Sequence, residues 1–399
     1  MDSMVIKPTR SLCPLCLEEI DAQVVVEGGK VVMAKDCRSH GRFTNTLDPD
    51  ARLYLSCVAA RRRRHSPYGL VIPITHRCNL RCRWCYLPDK GLENELSRNE
   101  IKAIIDRSRQ RYIVFSGGEP TVRDDLPELI AYVRKNHRQR FSVLLTNGIK
   151  LADRAYLEIL KEAGLHYVIL SLNGFRKETH CHFCGEDLRE AKCRALRNLK
   201  DLKVWTILSM TLAKGVNEGE FGDIYRFGMR NLDFIRQIRL RNVSEIGIYH
   251  EGSYIYLSEM IKLVSKATGL SIQEMCETND SCNRIFKTGN YFVIDVLEAL
   301  GKRYGTSRGH GTRYWLHILH RAGMKNALKL RIEPPGPRET RLMLRVEIFF
   351  WPKPGNIDLA ECRLFCIDHL SDDGEVLPFW EALYRNERLH RRLQCVRES

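Results

Sequence analysis

The 399-residue chain has no run of about 18 apolar residues, and its opening, MDSMVIKPTR, lacks the apolar core of a secretory leader. Both absences point to a protein kept in the cytoplasm, with no transmembrane segment. No internal repeat or low-complexity tract is present either, which argues against solenoid and propeller architectures. Acid is in short supply: 49 Asp and Glu stand against 64 Lys and Arg, a formal charge of +15. Such a surface attracts anions, whether nucleic acid, lipid headgroups or phosphorylated substrates, and charge alone does not choose among them. With 44% apolar and 28% charged residues, the balance is that of folded protein over nearly the whole length, with room for two or three domains.

Cysteine, by contrast, is plentiful. Fifteen in a cytoplasmic chain of this size point to metal or cluster ligation before disulfides, since reducing compartments keep thiols free and thermophiles are the exception. The first segment, residues 1–66, carries CPLC at 13–16 and CRSHG at 37–41, on either side of QVVVEGGKVVMAK. Val24 to Val26 and Val31 to Met33 read as two strands about a Gly28-Gly29 turn. Cys13, Cys16, Cys37 and His40 then offer three thiolates and an imidazole, a closed tetrahedral set for zinc or iron in a rubredoxin-like or zinc-ribbon-like knuckle. A module this small barely buries a core, so the ion would supply folding free energy. The segment ends in the basic run Arg61 to Arg64, read as a solvated linker.

Residues 67–250 alternate short apolar stretches with helical ones. Leu70 to Thr75, Tyr112 to Ser116, Phe141 to Thr146, Tyr167 to Leu172, Val204 to Thr211 and Ile238 to Val243 are six candidate strands. Helix-period segments lie between them, including LSRNEIKAIIDRSR, LPELIAYVRKN and RAYLEILKEAG. The expected fold is α/β, a parallel sheet with crossover helices closing partway into a (β/α)6 TIM-like barrel, with chemistry at the C-terminal strand ends. From residue 251 the alternation stops. Helical stretches (IYLSEMIKLVSKATG, FVIDVLEALGKRY, TRYWLHILHRAGM) lead to the apolar run RLMLRVEIFFW, and 251–399 reads as a separate mixed α/β accessory or cap region.

The run THRCNLRCRWCY follows the first strand directly and places Cys78, Cys82 and Cys85 in C-x-x-x-C-x-x-C spacing. Three thiolates can hold three irons of a 4Fe-4S cluster and leave the fourth iron open to an outside ligand. Chance would give this spacing about 0.02 times in a chain so rich in cysteine. The second strand ends FSGGEP, where Gly117, Gly118, Glu119 and Pro120 permit close backbone approach and offer a carboxylate to an ammonium group.

Together these motifs resemble the radical S-adenosylmethionine (SAM) superfamily, including the aromatic Trp84 ahead of the third cysteine. The resemblance implies a 4Fe-4S cluster on Cys78, Cys82 and Cys85, SAM held at Gly117 to Pro120, and Ser171 and Asn173 as further SAM contacts. Arg241, ending the sixth strand, would meet the SAM carboxylate or a substrate anion. An electron donor such as ferredoxin or flavodoxin follows as a partner.

Knuckle, barrel and a tail reading NIDLAECRLFCIDHLSDDGEVLPFW resemble the archaeal tetraether lipid synthase group and its pterin-methylase neighbours. That likeness implies an isoprenoid membrane lipid as substrate with C–C bond formation, the basic surface meeting an anionic membrane face peripherally. The alternative is a methylase or modifier of a pterin, peptide or RNA; a non-enzymatic iron-sulfur or zinc protein binding nucleic acid is a remote third. The chain lacks cysteines that the synthases carry after the knuckle and after PF, where Trp380 stands. An auxiliary cluster in the tail would have to recruit Cys276, Cys282, Cys362 and Cys366. Cys181 and Cys184, in the loop expected after the fourth strand, are open to metal binding, to a disulfide, or to neither.

Overall fold

Alternation and turn chemistry build the first 48 residues into a four-stranded antiparallel sheet: β1 (Met4–Leu12), β2 (Glu19–Glu27), β3 (Lys30–Cys37) and β4 (Gly41–Asp48), in that spatial order. Gly28 and Gly29 both take positive φ, 57° and 76°, as the two-residue hairpin between β2 and β3 requires. Ala22, Val24, Val31, Met33 and Leu47 form its small core, joined by Ala51 of the helix α1 (Ala51–Val58). β1 and β4 carry too many exposed polar residues to show a strand pattern, and ladder pairing holds them in place. The computed structural model describes residues 3–58, 67–87, 95–247, 252–282, 291–296, 299–300, 344–363, 365 and 367–398. The Arg61 to Arg64 run lies outside them.

All six expected core strands are present: β5 (Gly69–Thr75), β6 (Tyr112–Gly117), β7 (Phe141–Thr146), β8 (Leu165–Ser171), β9 (Trp205–Leu212) and β10 (Ile235–Asn242). The crossovers carry α2 (Arg98–Arg107), α3 (Leu126–Asn136), α4 (Arg154–Ala163), α5 (Lys177–Cys184), α6 (Arg189–Asp201) and α7 (Phe221–Arg230). Local signals set their ends. Ser97 and Glu100 form a capping box at the start of α2, the Asp153 carboxylate accepts from the backbone of Ala155 and Tyr156 at the start of α4, and Gly164 at φ 110° closes α4.

Every residue of β5 is buried, because the strand is covered on both faces. Leu70, Ile72 and Ile74 join the large core under the helices, and Val71 joins the inner cluster with Val114, Val143 and Ile169.

The region after residue 251 departs from expectation. It begins with α8 (Leu257–Thr268) and α9 (Ile272–Cys282), but FVID, read as helical, forms the strand β11 (Tyr291–Asp295). It pairs antiparallel with β12 (Arg345–Phe349), which burial and β-branched residues favour over helix period. The helix α10 (Leu359–Cys362), strands β13 (Ile367–Leu370) and β14 (Val376–Pro378), and helix α11 (Phe379–Glu398) complete the chain. Instead of making a sheet of their own, these strands enlarge the core sheet on both sides, in the order β11-β12-β10-β9-β8-β7-β6-β5-β13-β14. β12 runs parallel to β10, and β13 parallel to β5, so eight consecutive strands are parallel between antiparallel edges. The sheet curls until its two sides share one aromatic seam: Phe349 stacks on Phe365 at 4.9 Å and meets Phe379 at 5.5 Å and Trp380 at 5.3 Å. No described helix is long and apolar enough to cross a membrane.

Candidate active site and metal centre

In the N-terminal sheet, one ligand pair sits at the β1–β2 turn and the other at the β3–β4 turn. Cys13, Cys16, Cys37 and His40 offer ligand atoms that all lie within 4.8 Å of one another, a spacing suited to a single ion. His40 Nδ1 lies 3.4 Å from Cys37 Sγ and 3.7 Å from Cys13 Sγ, and the imidazole contact helps hold the Cys37 thiol below its usual range. Three soft thiols and one imidazole with no open position describe a structural site.

The second centre lies where β5 ends. The loop of residues 76–87 is held by its backbone: Gly118 N–H donates to Thr75 O at 2.8 Å, Glu119 N–H to Arg77 O at 2.9 Å, and Arg83 N–H to Phe183 O in α5 at 2.9 Å. Glycine is obligatory here. A Cβ on Gly118 would lie 2.3 Å from Arg77 O and 2.7 Å from His76 O, and one on Gly117, at φ 125°, 2.1 Å from Thr75 O.

Cys78, Cys82 and Cys85 line one cavity of about 500 Å³ together with Trp84, Gly117, Gly118, Ser171 and Asn173. Trp84 is fixed by ring contacts to His182 and Phe183 at 5.2 and 5.1 Å. Asn173 Oδ1 accepts from Thr211 N–H at 2.9 Å, tying the end of β8 to β9.

Glu119 is placed differently from the ammonium partner implied by the resemblance. It is 1% exposed, and its oxygens accept from Thr121 N–H and Oγ1, Thr146 Oγ1 and Asn147 N–H at 2.6–3.1 Å. Neither Glu119 nor Pro120 is among the residues lining the cavity, so the carboxylate acts as a bracket between the ends of β6 and β7.

Two further residues come from the crossover helices: Lys192, which sequence reading did not single out, and Cys184, which it placed after the fourth strand without a partner. Lys192 of α6 also lines the cavity; it donates to Ser171 O at 2.6 Å and to Asn147 O, and burial lowers its ammonium to about 8. Cys184, at the end of α5, lies beside Cys82, and sharing a proton with it pushes the Cys82 thiol up. Its helix partner Cys181 is exposed and does not line the cavity. Desolvation at the cavity wall, with Glu119 and the neighbouring cysteines adding to it, raises the Cys78 thiol to about 11. In the metal-free chain Cys78 and Cys82 hold their protons at neutral pH, and cluster loading must release them.

The residues proposed for an auxiliary cluster are not brought together among the described residues. Cys276 packs against the core beneath the helices, whereas Cys362 is buried in the inner aromatic cluster. Cys366 and the side chain of Cys282 lie outside the described residues.

Below the cysteine cavity, a second cavity of about 480 Å³ fills the barrel, and Tyr86, Leu145 and Arg241 line both. Arg241 Nε donates to Thr211 Oγ1 at 2.7 Å, with its guanidinium 5.4 Å from the Trp351 ring. Tyr86 is 3.1 Å from Ser116 Oγ.

Residues 72–228 match the model of the Radical SAM superfamily, and residues 5–48 match that of the HMPTM N-terminal zinc ribbon domain. A 7,8-dihydro-6-hydroxymethylpterin dimethyltransferase of Methanocaldococcus jannaschii is 34% identical over 307 residues, covering 67% of this chain and 60% of that protein. A Methanosarcina barkeri Fe-coproporphyrin III synthase is 44% identical over 147 residues, 35% of this chain and 36% of that one. The chain thus spans about 60% of the first relative's length and about a third of the second's. Among solved structures, SuiB of Streptococcus suis bound to S-adenosylmethionine superposes with a TM-score of 0.45 at 19% identity, over 51% of this chain and 47% of that one.

Proposed function

The chain belongs to the radical SAM superfamily, with a zinc ribbon ahead of its radical SAM domain, and from that premise we propose that it cleaves SAM reductively and uses the radical to modify a compact, ring-containing substrate held inside the barrel. The observation that carries this reading is that the cysteine-lined cavity and the barrel cavity are adjacent, with Tyr86, Leu145 and Arg241 lining both. A 4Fe-4S cluster bound by Cys78, Cys82 and Cys85 would supply the electron that splits SAM into methionine and a 5'-deoxyadenosyl radical.

The chain's own residues do the rest. Gly117 and Gly118 bring backbone close to the ligand, and Ser171 and Asn173 offer hydroxyl and amide to its ribose. Trp84 and Phe183 pack together on the lining of the cysteine cavity and give it an apolar side. Arg241, half-buried on the lining of both cavities, is placed for a carboxylate or another anion. A one-electron donor of the ferredoxin or flavodoxin type is the partner this chemistry requires.

A pterin-sized molecule suits a cavity of about 480 Å³, and the dimethyltransferase relative is named for a pterin. The second reading, an isoprenoid lipid joined through C–C bond formation, draws on the apolar wall of Val71, Val114, Val143, Leu145, Ile169 and Ile207.

The test is anaerobic reconstitution of the wild type and a Cys78, Cys82, Cys85 triple-alanine variant, followed by dithionite, SAM and either a dihydropterin or archaeal lipid. We expect 5'-deoxyadenosine from the wild type alone, carrying deuterium when a deuterated dihydropterin is supplied. Deuterium taken up from deuterated lipid only would replace the first reading with the second. No deoxyadenosine, and no SAM-induced change in the cluster's EPR spectrum, would overturn both.

A further inference from the structure

Strands β10 and β12 give one wall of the barrel cavity most of its charged groups. In register, Gln237 lies beside Arg345 and Arg239 beside Glu347, with Arg241 one step further toward the cysteine loop. Among the described residues, five arginines line the cavity (Arg111, Arg236, Arg239, Arg241 and Arg345) against a single carboxylate, Glu347. That carboxylate is already committed to Arg239 Nε at 3.2 Å. Asp295, opposite Arg345 in the β11–β12 ladder, does not line the cavity.

Position sorts the cationic groups. Arg111 precedes β6, Arg236 is the second residue of β10 and Arg345 is the first of β12, so all three sit at the N-terminal ends of parallel strands. The cysteine loop follows the C-terminal end of β5, so the three arginines ring the opposite mouth. Four residues separate Gln237 from Arg241 along β10, about 13 Å of strand. At the arginine end, Arg345 Nε and Gln237 Nε2 are buried donors with no hydrogen-bond partner among the described residues. An interior leaves such donors unmatched only at a cost, and a ligand rich in acceptors removes it.

We infer that the barrel takes an anionic substrate, phosphorylated or carboxylated, whose charged group sits among Arg111, Arg236 and Arg345 and whose apolar or aromatic body reaches about 13 Å up the cavity to the cysteine loop. The inference rests on the proposed radical chemistry only for which end of the substrate reacts. The anion site itself stands on the cavity. Guanidinium forks suit phosphate and carboxylate oxygens, and the low dielectric of the barrel strengthens the contact. Opposite the arginines, Val71, Val114, Val143 and Ile169 leave the body of the ligand an apolar surface.

Calorimetry on the full-length chain tests this with defined probes: 1-naphthyl phosphate against 1-naphthol, and decyl phosphate against decanol, at low and high salt. We expect at least one phosphate to bind about tenfold or more tightly than its neutral parent, with the ratio falling as salt rises. Arg345→Gln and Arg111→Gln should each cut that ratio severalfold. The tighter pair tells whether the body is a ring or a chain.

Equal binding within both pairs, or a phosphate preference untouched in both variants, overturns the inference. Should the variants lose their ribbon zinc and fold, the wild type decides alone, and decyltrimethylammonium binding as tightly as decyl phosphate overturns it. Deoxyadenosine formation, measured on the reconstituted wild type, is a separate readout. A phosphate preference without SAM cleavage keeps the anion site and removes the radical reading.

Discussion

Two buried side chains near the cysteine cavity carry more of the site than their chemistry suggests. Glu119 accepts four hydrogen bonds from the ends of β6 and β7. Glu119→Gln sets an amide N–H against a donor in a closed space and should lower folding stability by about 1–3 kcal/mol, read as a shift in the urea midpoint at unchanged slope. A midpoint equal to wild type would show that the bracket is not needed.

Lys192 gives a pH signature. Its ammonium is lost near 8 in the folded chain against 10.5 for the free group, because burial disfavours the charge. Between those values the unfolded chain binds the extra proton, so this lysine makes stability rise with pH from about 8 to 10.5 and adds no slope below 8. Lys192→Met should flatten that rise by on the order of 1 kcal/mol per pH unit, measured by unfolding titrations at several pH values. An unchanged slope would place the shift elsewhere.

At the level of elements, the loop after β5 and the Gly117-Gly118 end of β6 are one mechanical unit. Gly118→Ala drives a methyl into two carbonyl oxygens and should displace the cysteine loop with every cysteine still in place. Iron bound per chain after reconstitution should fall several-fold while ribbon zinc stays constant; full iron loading would show that the loop yields cheaply.

This unit was legible in the sequence because its residues lie on two short segments whose spacing is covalent. The six core strands were legible for a similar reason, since strands buried on both faces read as unbroken apolar runs. Lys192 was not, nor was the approach of Cys184 to Cys82, because both depend on how α5 and α6 dock over a curled sheet. β13 escaped notice because its partner β5 lies about 300 residues earlier and IDHL carries no strand pattern. FVID reads equally well as helix or strand, and only its ladder with β12 decides.

Across the whole molecule, the ribbon is bonded to the tail more than to the core strands. Lys7 pairs with Asp358 at 2.5 Å and Glu361 at 2.6 Å, all three largely buried, and Thr9 Oγ1 donates to Asp358 at 2.5 Å. Lys35 Nζ donates to Leu12 O and across to Pro354 O, and Arg363 meets Glu19 at 2.9 Å. Asp358→Ala leaves the Lys7 charge without its nearer partner and should cost about 3 kcal/mol. Stripping the ribbon metal with a chelator should lower the melting temperature of the entire chain by several degrees, of the order that losing a few kcal/mol brings. Two separate transitions, with only the smaller one moved by chelator, would show that ribbon and barrel melt independently.

The flanking of β5 by β13 bears on the order in which the chain leaves the ribosome. Gly69 finds Ile367 as its ladder partner only after nearly the whole protein has been made. Until then β5 has one bare edge, directly beneath the loop that bears Cys78, Cys82 and Cys85, and such edges invite wrong pairing.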